Sequence, residues 1–245
     1  MRRVTRPALR KAAQTYLDKR QSSTNRDLGL GTLNIERAWK AARQTNAIGS
    51  VMQVLRQMMG PRERCMYCVD SHGCDIEHFR PKSRFPTYAF RWPNLLLCCT
   101  ECGRFKGVQF PTAHGQPLLI DPTTEDPWRF LDFDPDTGDL TARFDVQAND
   151  WSAKGAKTVE VLRLDRREVL GNVYKATYRR LCLVVQSWLA ADAIKAPALL
   201  AELQAADDHG LLPWCFGPSG ETVAPFATLR QGYQAVWATC LKGLQ

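Results

Sequence analysis

The feature that most constrains this chain is a pair of Cys-x-x-Cys motifs, Cys65-Met66-Tyr67-Cys68 and Cys99-Thr100-Glu101-Cys102. Each tight turn can present two thiolates to one ion. Four sulfurs at about 2.3 Å complete a tetrahedral Zn²⁺ shell and leave no position for water or substrate. Such a zinc is structural, and a short Cys- and Pro-rich stretch that buries little apolar surface needs it in order to fold. Six of the nine cysteines fall between residues 65 and 102. In a reducing compartment such clustering reads as metal ligation before disulfide bonding. Cys98 could replace Cys99 as a ligand by a shift of one position, so the spacing leaves that ligand open. Cys74 has no second cysteine at ligand spacing, and Cys182, Cys215 and Cys240 read as buried small apolar residues.

Thirty residues separate the two pairs, more than the roughly 15–20 of a simple zinc ribbon. At the centre of that insert stand Glu77 and His78, followed by Arg80, Pro81 and Lys82. Adjacent side chains of a strand point to opposite faces, so Glu77 and His78 can share a site only where the strand bends or ends, and Pro81 supplies such an end. The chemistry implied is a hydrolysis in which His78 takes a proton from water. A divalent cation held partly by Glu77 would stabilise the charge developing on a phosphate. Arg80, Lys82 and Lys106 are positioned to hold a polyanion through its backbone, a contact that carries no sequence information. His72, His114 and His209 lie in turns or Gly-containing loops and receive no role.

Charge is unevenly distributed along the chain. Residues 1–60 hold twelve Lys and Arg against three Asp and Glu, residues 61–110 eight against five, and the remainder thirteen against seventeen. The positive field therefore belongs to the first half and points to a polyanionic partner, nucleic acid before an anionic membrane surface. With 44% hydrophobic and 24% charged residues, the chain is not a mainly disordered one. The longest apolar run, Leu95 to Cys99, is far short of the ~20 residues of a membrane span, and the basic start lacks the apolar stretch of a signal peptide. A cytoplasmic location is expected.

Residues 33–59 carry a helical pattern, with Ile48, Val51, Leu55 and Met58 at spacings of three and four, and Gly60-Pro61 ends it. Residues 111–150 hold the turn signals Asp121-Pro122, Asp126-Pro127, Asp134-Pro135 and Thr137-Gly138, which predict a loop-rich connector with one short hairpin. Helical periodicity resumes near Lys157, where Leu170, Val173, Tyr174, Leu181, Val185, Trp188 and Leu189 form an apolar stripe, and Pro197 opens a new segment. The expected division is a basic helical region (1–60), a zinc-holding module (61–110), the connector (111–150) and a C-terminal helical region (151–245).

Ile76-Glu77-His78-Phe79-Arg80-Pro81-Lys82, Trp92-Pro93-Asn94-Leu95 and Cys99-x-x-Cys102-x-x-x-Lys106-Gly107 together resemble an HNH endonuclease module of the ββα-metal, or His-Me finger, kind. The resemblance implies an α+β fold: a β-hairpin and a helix packed on a Cys₄ zinc knuckle, flanked by N- and C-terminal helices. It implies His78 as general base, Asn94 as the residue that pins the hairpin loop and orients the base, and Glu77 as a contact to a catalytic Mg²⁺ or Mn²⁺. One position departs from the pattern. The residue after the last zinc cysteine is usually His or Asn and helps ligate the catalytic metal; here it is Gly103. Asp75 or Glu101 would then complete the shell, or metal binding is weakened. Leu119-Ile120-Asp121-Pro122 and the stretch Lys157–Arg166 resemble the HNH subgroup that supplies the nuclease subunit of Septu-type and retron-associated anti-phage systems. Its members work with an ATPase partner. The resemblance covers roughly residues 61–170. It implies a metal-dependent endonuclease, cutting DNA before RNA, that acts as the effector of a defence complex. The alternative is a zinc-stapled nucleic-acid-binding or adaptor subunit whose nuclease site is degenerate.

Overall fold

Leu95, Leu96, Leu97 and Cys98 offer no polar side chain to solvent, and they form a strand, β2 (Leu95–Cys98), that is buried along its whole length. The structure is a computed structural model that describes residues 1–191 and 193–244. Asp192 and Gln245, both within the region expected to be helical, lie outside the described residues. β2 pairs antiparallel with β1 (Asp75–His78) in the register Asp75↔Cys98, Ile76↔Leu97, Glu77↔Leu96 and His78↔Leu95. A two-stranded ribbon this short is marginal alone, and its neighbours supply the missing burial. α3 (Asn46–Met59) packs on β2 and buries Ile48, Val51, Leu55 and Met59. The first cysteine turn is tied on by backbone bonds, Met66 N to Leu97 O at 2.9 Å and Cys74 N to Cys98 O at 3.0 Å. Gly73 permits that close approach, because a Cβ there would lie 2.3 Å from the Leu97 side chain. The chain leaves β2 directly into α4 (Thr100–Lys106).

These elements belong to a unit formed by Arg3–Glu125, which also contains α1 (Lys11–Gly29) and α2 (Ile35–Arg43). The helical pattern expected over 33–59 is therefore two helices. Thr45 separates them, its hydroxyl accepting from Ile48 N as the N-cap of α3, and Met59 rather than Met58 completes the buried stripe. In α1 the buried face is Ala13, Leu17, Gln21 and Thr24, too small and polar to stand out as an apolar stripe. A small hairpin, β3 (Thr112–Ala113) with β4 (Gln116–Pro117), turns through His114 and Gly115. Both have positive φ, as a two-residue turn of the primed kind requires.

The second unit comprises Met1–Arg2 with Asp126–Gln245. It holds the ribbons β5 (Leu131–Phe133) with β6 (Leu140–Ala142) and β7 (Phe144–Asp145) with β8 (Asp150–Trp151). Six helices follow: α5 (Ala153–Leu162), α6 (Glu168–Leu189), α7 (Ala196–Ala206), α8 (Leu212–Cys215), α9 (Phe226–Gly232) and α10 (Gln234–Gly243). Phe133, Tyr178 and Trp214 meet edge to face in its core, with centroids 5.2–5.8 Å apart. Gly138, at φ +86°, passes so close to α6 that a Cβ would collide with Gly171 O. The connector thus carries three small hairpins where one was expected, because strands of two or three residues are too short to show alternation. In the C-terminal stripe Leu170, Tyr174, Leu181 and Val185 are buried, whereas Val173, Trp188 and Leu189 are only half-buried. The architecture is mixed, helices with short antiparallel strand pairs. Among the described residues no helix is long and apolar enough to cross a membrane.

Candidate active site and metal centre

Four thiols converge at one end of the β1–β2 ribbon. Cys65 and Cys68 come from the turn before β1, Cys99 is the N-cap of α4 and Cys102 lies in its first turn. All four are buried, and their sulfurs lie within 4.8 Å of one another. The Cys68–Cys99 pair stands at 3.9 Å, close to the ~3.8 Å edge of a tetrahedron with 2.3 Å Zn–S bonds. Cys102 N donates to Cys99 Sγ at 3.4 Å, and hydrogen bonds from the neighbouring thiols, Cys102 first, pull the Cys99 thiol well down toward thiolate. This set can hold a structural metal such as zinc. Of the two candidates left open, Cys99 belongs to the four-sulfur set, whereas the Cys98 thiol donates to the Cys99 carbonyl at 3.2 Å. Cys74 is exposed and apart from the cluster.

At the other end of the ribbon β1 stops at His78, and a loop of residues 79–94 returns to β2. Asn94 closes that loop. Its Nδ2 donates to Arg80 O at 3.1 Å and Tyr88 O at 3.0 Å, and its Oδ1 accepts from Arg80 N at 2.8 Å. Three bonds from one buried side chain hold both limbs together. The closed loop aims the Ala89 carbonyl at His78 Nε2, 3.0 Å away. A carbonyl only accepts, so Nε2 carries the proton and Nδ1 keeps its lone pair. Trp39 of α2 lies against the imidazole with centroids 4.3 Å apart at 72°. Burial, followed by the Lys82 charge, lowers the His78 pKa to about 3, so the ring is neutral near pH 7.

Glu77, His78, Asp75 and Lys82 line one cleft of about 1000 Å³ with residues of α2. The strand end lets neighbours on opposite faces share it. Glu77 Oε1 accepts from Lys106 Nζ at 2.8 Å, and that ammonium also donates to His78 O at 2.7 Å. Burial nonetheless pushes the Glu77 carboxyl above its ordinary range, with the Lys106 charge opposing. Lys106, expected to meet a polyanion, is instead wholly buried, because β1 needs a counter-charge for Glu77. Arg80, expected in the same role, does not line the cleft. Its guanidinium lies over Tyr88, Phe110 and Phe85 at 4.8, 5.3 and 5.9 Å. Lys82 lines the cleft but is paired with Glu36 at 3.1 Å.

A catalytic divalent ion finds a narrow welcome here. Among the described residues, the four-cysteine set is the single group of three or more ligand-type side chains close enough to share one ion. Asp75 is paired with Arg43 at 3.1 Å, and Glu101 is exposed on α4 and does not line the cleft. Gly103 faces Glu77, since a Cβ there would stand 3.7 Å from Oε2, but it brings no ligand. What remains is Glu77 Oε2. Mg²⁺ often takes one or two carboxylates and fills its shell with water and phosphate oxygens, so the residues suit an ion shared with a phosphate. Trp39, Arg37 and Lys40 also line the cleft, and no motif in the sequence marks them. The available signal was a Trp inside a short stretch holding Arg37, Lys40 and Arg43.

The chain resembles two proteins named Septu protein PtuB. That of Bacillus mycoides (strain KBAB4) is 33% identical over 152 residues, covering 49% of this chain and 48% of that protein. That of Bacillus thuringiensis is 29% identical over 112 residues, covering 44% of this chain and 38% of that protein. The match thus spans about half or less of these relatives' length. No protein-family model matches the chain.

Proposed function

We propose that this chain is an HNH-type endonuclease that hydrolyses phosphodiester bonds of nucleic acid, DNA before RNA. In this reading it is the effector of an anti-phage defence complex in the cytoplasm, working with an ATPase partner. The observation that carries the reading is the held imidazole: Nε2 is fixed to Ala89 O, Nδ1 is left free, and the Glu77 carboxylate stands beside it in an open cleft. The similarity to Septu protein PtuB supports the defence role.

His78 Nδ1 takes a proton from the attacking water as its oxygen bonds to phosphorus, while the P–O bond to the departing sugar oxygen breaks and that oxygen takes a proton from solvent. Asn94 keeps the loop, and with it the Ala89 carbonyl, in the position that selects this tautomer. Lys106 fixes the Glu77 carboxylate and the His78 backbone together. Glu77 Oε2 would hold a Mg²⁺ or Mn²⁺ ion, which supplies charge stabilisation at the phosphate. The Cys₄ zinc fixes the far end of the ribbon and takes no part in the chemistry.

Two observations favour a second reading, a nucleic-acid-binding subunit with a decayed metal site: Gly103 provides no ligand, and one Glu77 oxygen is taken by Lys106. Cleavage of supercoiled plasmid by the purified chain in Mg²⁺ or Mn²⁺, with and without the ATPase partner, separates the two. Nicking that drops at least ~100-fold in His78→Ala, with DNA retention unchanged, is the expected result. DNA retained without cleavage under every condition would replace the first reading with the second.

A further inference from the structure

The cleft has a wall that the proposed reaction does not use. α2 turns Trp39 and Ala42 inward, and Trp39 meets His78 directly, so the helix lies along the catalytic histidine. On a helix of 3.6 residues per turn, Arg37, Lys40 and Arg43 recur at every third position and form one ridge. All three line the cleft that contains Glu77 and His78. Arg43 is already neutralised by Asp75, and Lys82 opposite by Glu36. Arg37 and Lys40 are exposed, and among the described residues neither has a carboxylate partner.

We propose that Arg37 and Lys40 bind the sugar–phosphate backbone of the strand whose scissile phosphate lies at His78, which makes α2 the polyanion-binding wall of the cleft. The proposal rests on the phosphodiesterase reading and assigns its substrate contacts to a helix outside the region of resemblance. The ridge from Arg37 to Arg43 spans about 9 Å. Arg37 and Lys40 stand about 4.5 Å apart along the axis of α2, and their long side chains can meet two neighbouring phosphates of one strand. Lone cations beside a general base suit a repeated phosphodiester. Contacts of this kind hold any sequence equally, because they touch phosphate and not base edges.

The test is equilibrium binding of the zinc-loaded full chain, with no other divalent ion added, to a labelled DNA duplex and to one of its separated strands. Fluorescence anisotropy would follow binding across a salt series from ~50 to ~200 mM. Each lost phosphate contact lowers the slope of log K against log salt by about 0.7–0.9. The Arg37→Ala/Lys40→Ala variant should therefore flatten the slope by about 1.4–1.8 and weaken low-salt binding about tenfold or more. Lys11→Ala/Lys19→Ala removes the same charge from exposed positions of α1 outside the cleft and should leave the slope in place. If the parent shows no salt-dependent affinity, the phosphodiesterase reading itself falls. If the parent binds and the α2 variant matches it, or both variants flatten the slope equally, the α2 assignment alone falls.

Discussion

The two ends of the β1–β2 ribbon are built on opposite plans. At the cysteine end four buried sulfurs face one another, and a tetrahedral ion would satisfy all of them and expose nothing. At the cleft end each group gives one atom to the protein and keeps one for something else. His78 gives Nε2 to Ala89 and keeps Nδ1, and Glu77 gives Oε1 to Lys106 and keeps Oε2. A closed constellation stabilises the fold and an incompletely used one can do chemistry. Position along eight paired residues separates the two roles.

The largest effect should come from breaking the closed end. Cys65→Ser or Cys102→Ser removes one of four sulfurs, and structural zinc contributes on the order of 10 kcal/mol to small metal-held segments. Insoluble or zinc-free protein is expected, read by metal analysis of the soluble fraction. Cys98→Ser, one residue outside the set, should keep one zinc per chain. A soluble Cys102→Ser with full zinc content would erase the contrast between the two ends.

Lys106→Met attacks the cleft end. It strands a largely buried carboxylate and the His78 carbonyl, and removing one partner of a buried ion pair typically costs about 3–5 kcal/mol. The midpoint of thermal unfolding should fall sharply with zinc content unchanged. Adding Glu77→Gln should recover part of the loss, since no uncompensated charge then remains. A single variant as stable as wild type would mean that solvent already screens the pair.

Asn94→Ala should have a smaller consequence, about 2 kcal/mol, because it leaves backbone groups of Arg80 and Tyr88 without their partner. Its informative readout is local. Amide exchange in residues 79–94 should accelerate while exchange around Cys65–Cys68 stays protected. Equal acceleration at both sites would show that the two ends are one cooperative unit.

What the sequence made legible follows the same division. The group of four cysteines that could hold a metal was legible because Cys spacing carries ligand geometry directly, and three dimensions put Cys99 rather than Cys98 in it. His78, Glu77 and Asn94 could be named from local pattern, and Pro81 foretold the strand end that brings the first two together. Two of the three cations expected at the polyanion lie elsewhere. Residue type reveals charge but not burial, and Lys106 went inside to meet Glu77 while Arg80 went to an aromatic cage. Trp39 is distant in sequence from His78, so its contact exists only once α2 has folded back over β1. The break between α2 and α3 was available in Thr45, an ordinary N-cap within an otherwise continuous pattern.

The free nitrogen of His78 distinguishes the cleft from the cysteine end, and its protonation governs how cleavage depends on pH. An ordinary imidazole with pKa ~6.5 is about 3% deprotonated at pH 5, so a solvent-exposed base would slow cleavage roughly thirtyfold between pH 8 and pH 5. Burial disfavours the imidazolium, and the His78 pKa is pushed down to about 3, so this ring stays in its basic form over the whole interval. The single-turnover rate should therefore fall less than about twofold from this group. Stability moves in the other sense. With the folded pKa below the unfolded one, neutral burial contributes fully above pH ~6.5 and is lost as pH falls toward 3, so circular dichroism at each pH must accompany the rates. A flat profile in folded protein means that burial under Trp39 and the closed loop keeps the imidazole neutral while its Nδ1 still reaches the attacking water. A break near pH 6.5 means that the cleft opens around His78 before it reacts, and that its free nitrogen is tuned by solvent rather than by the fold.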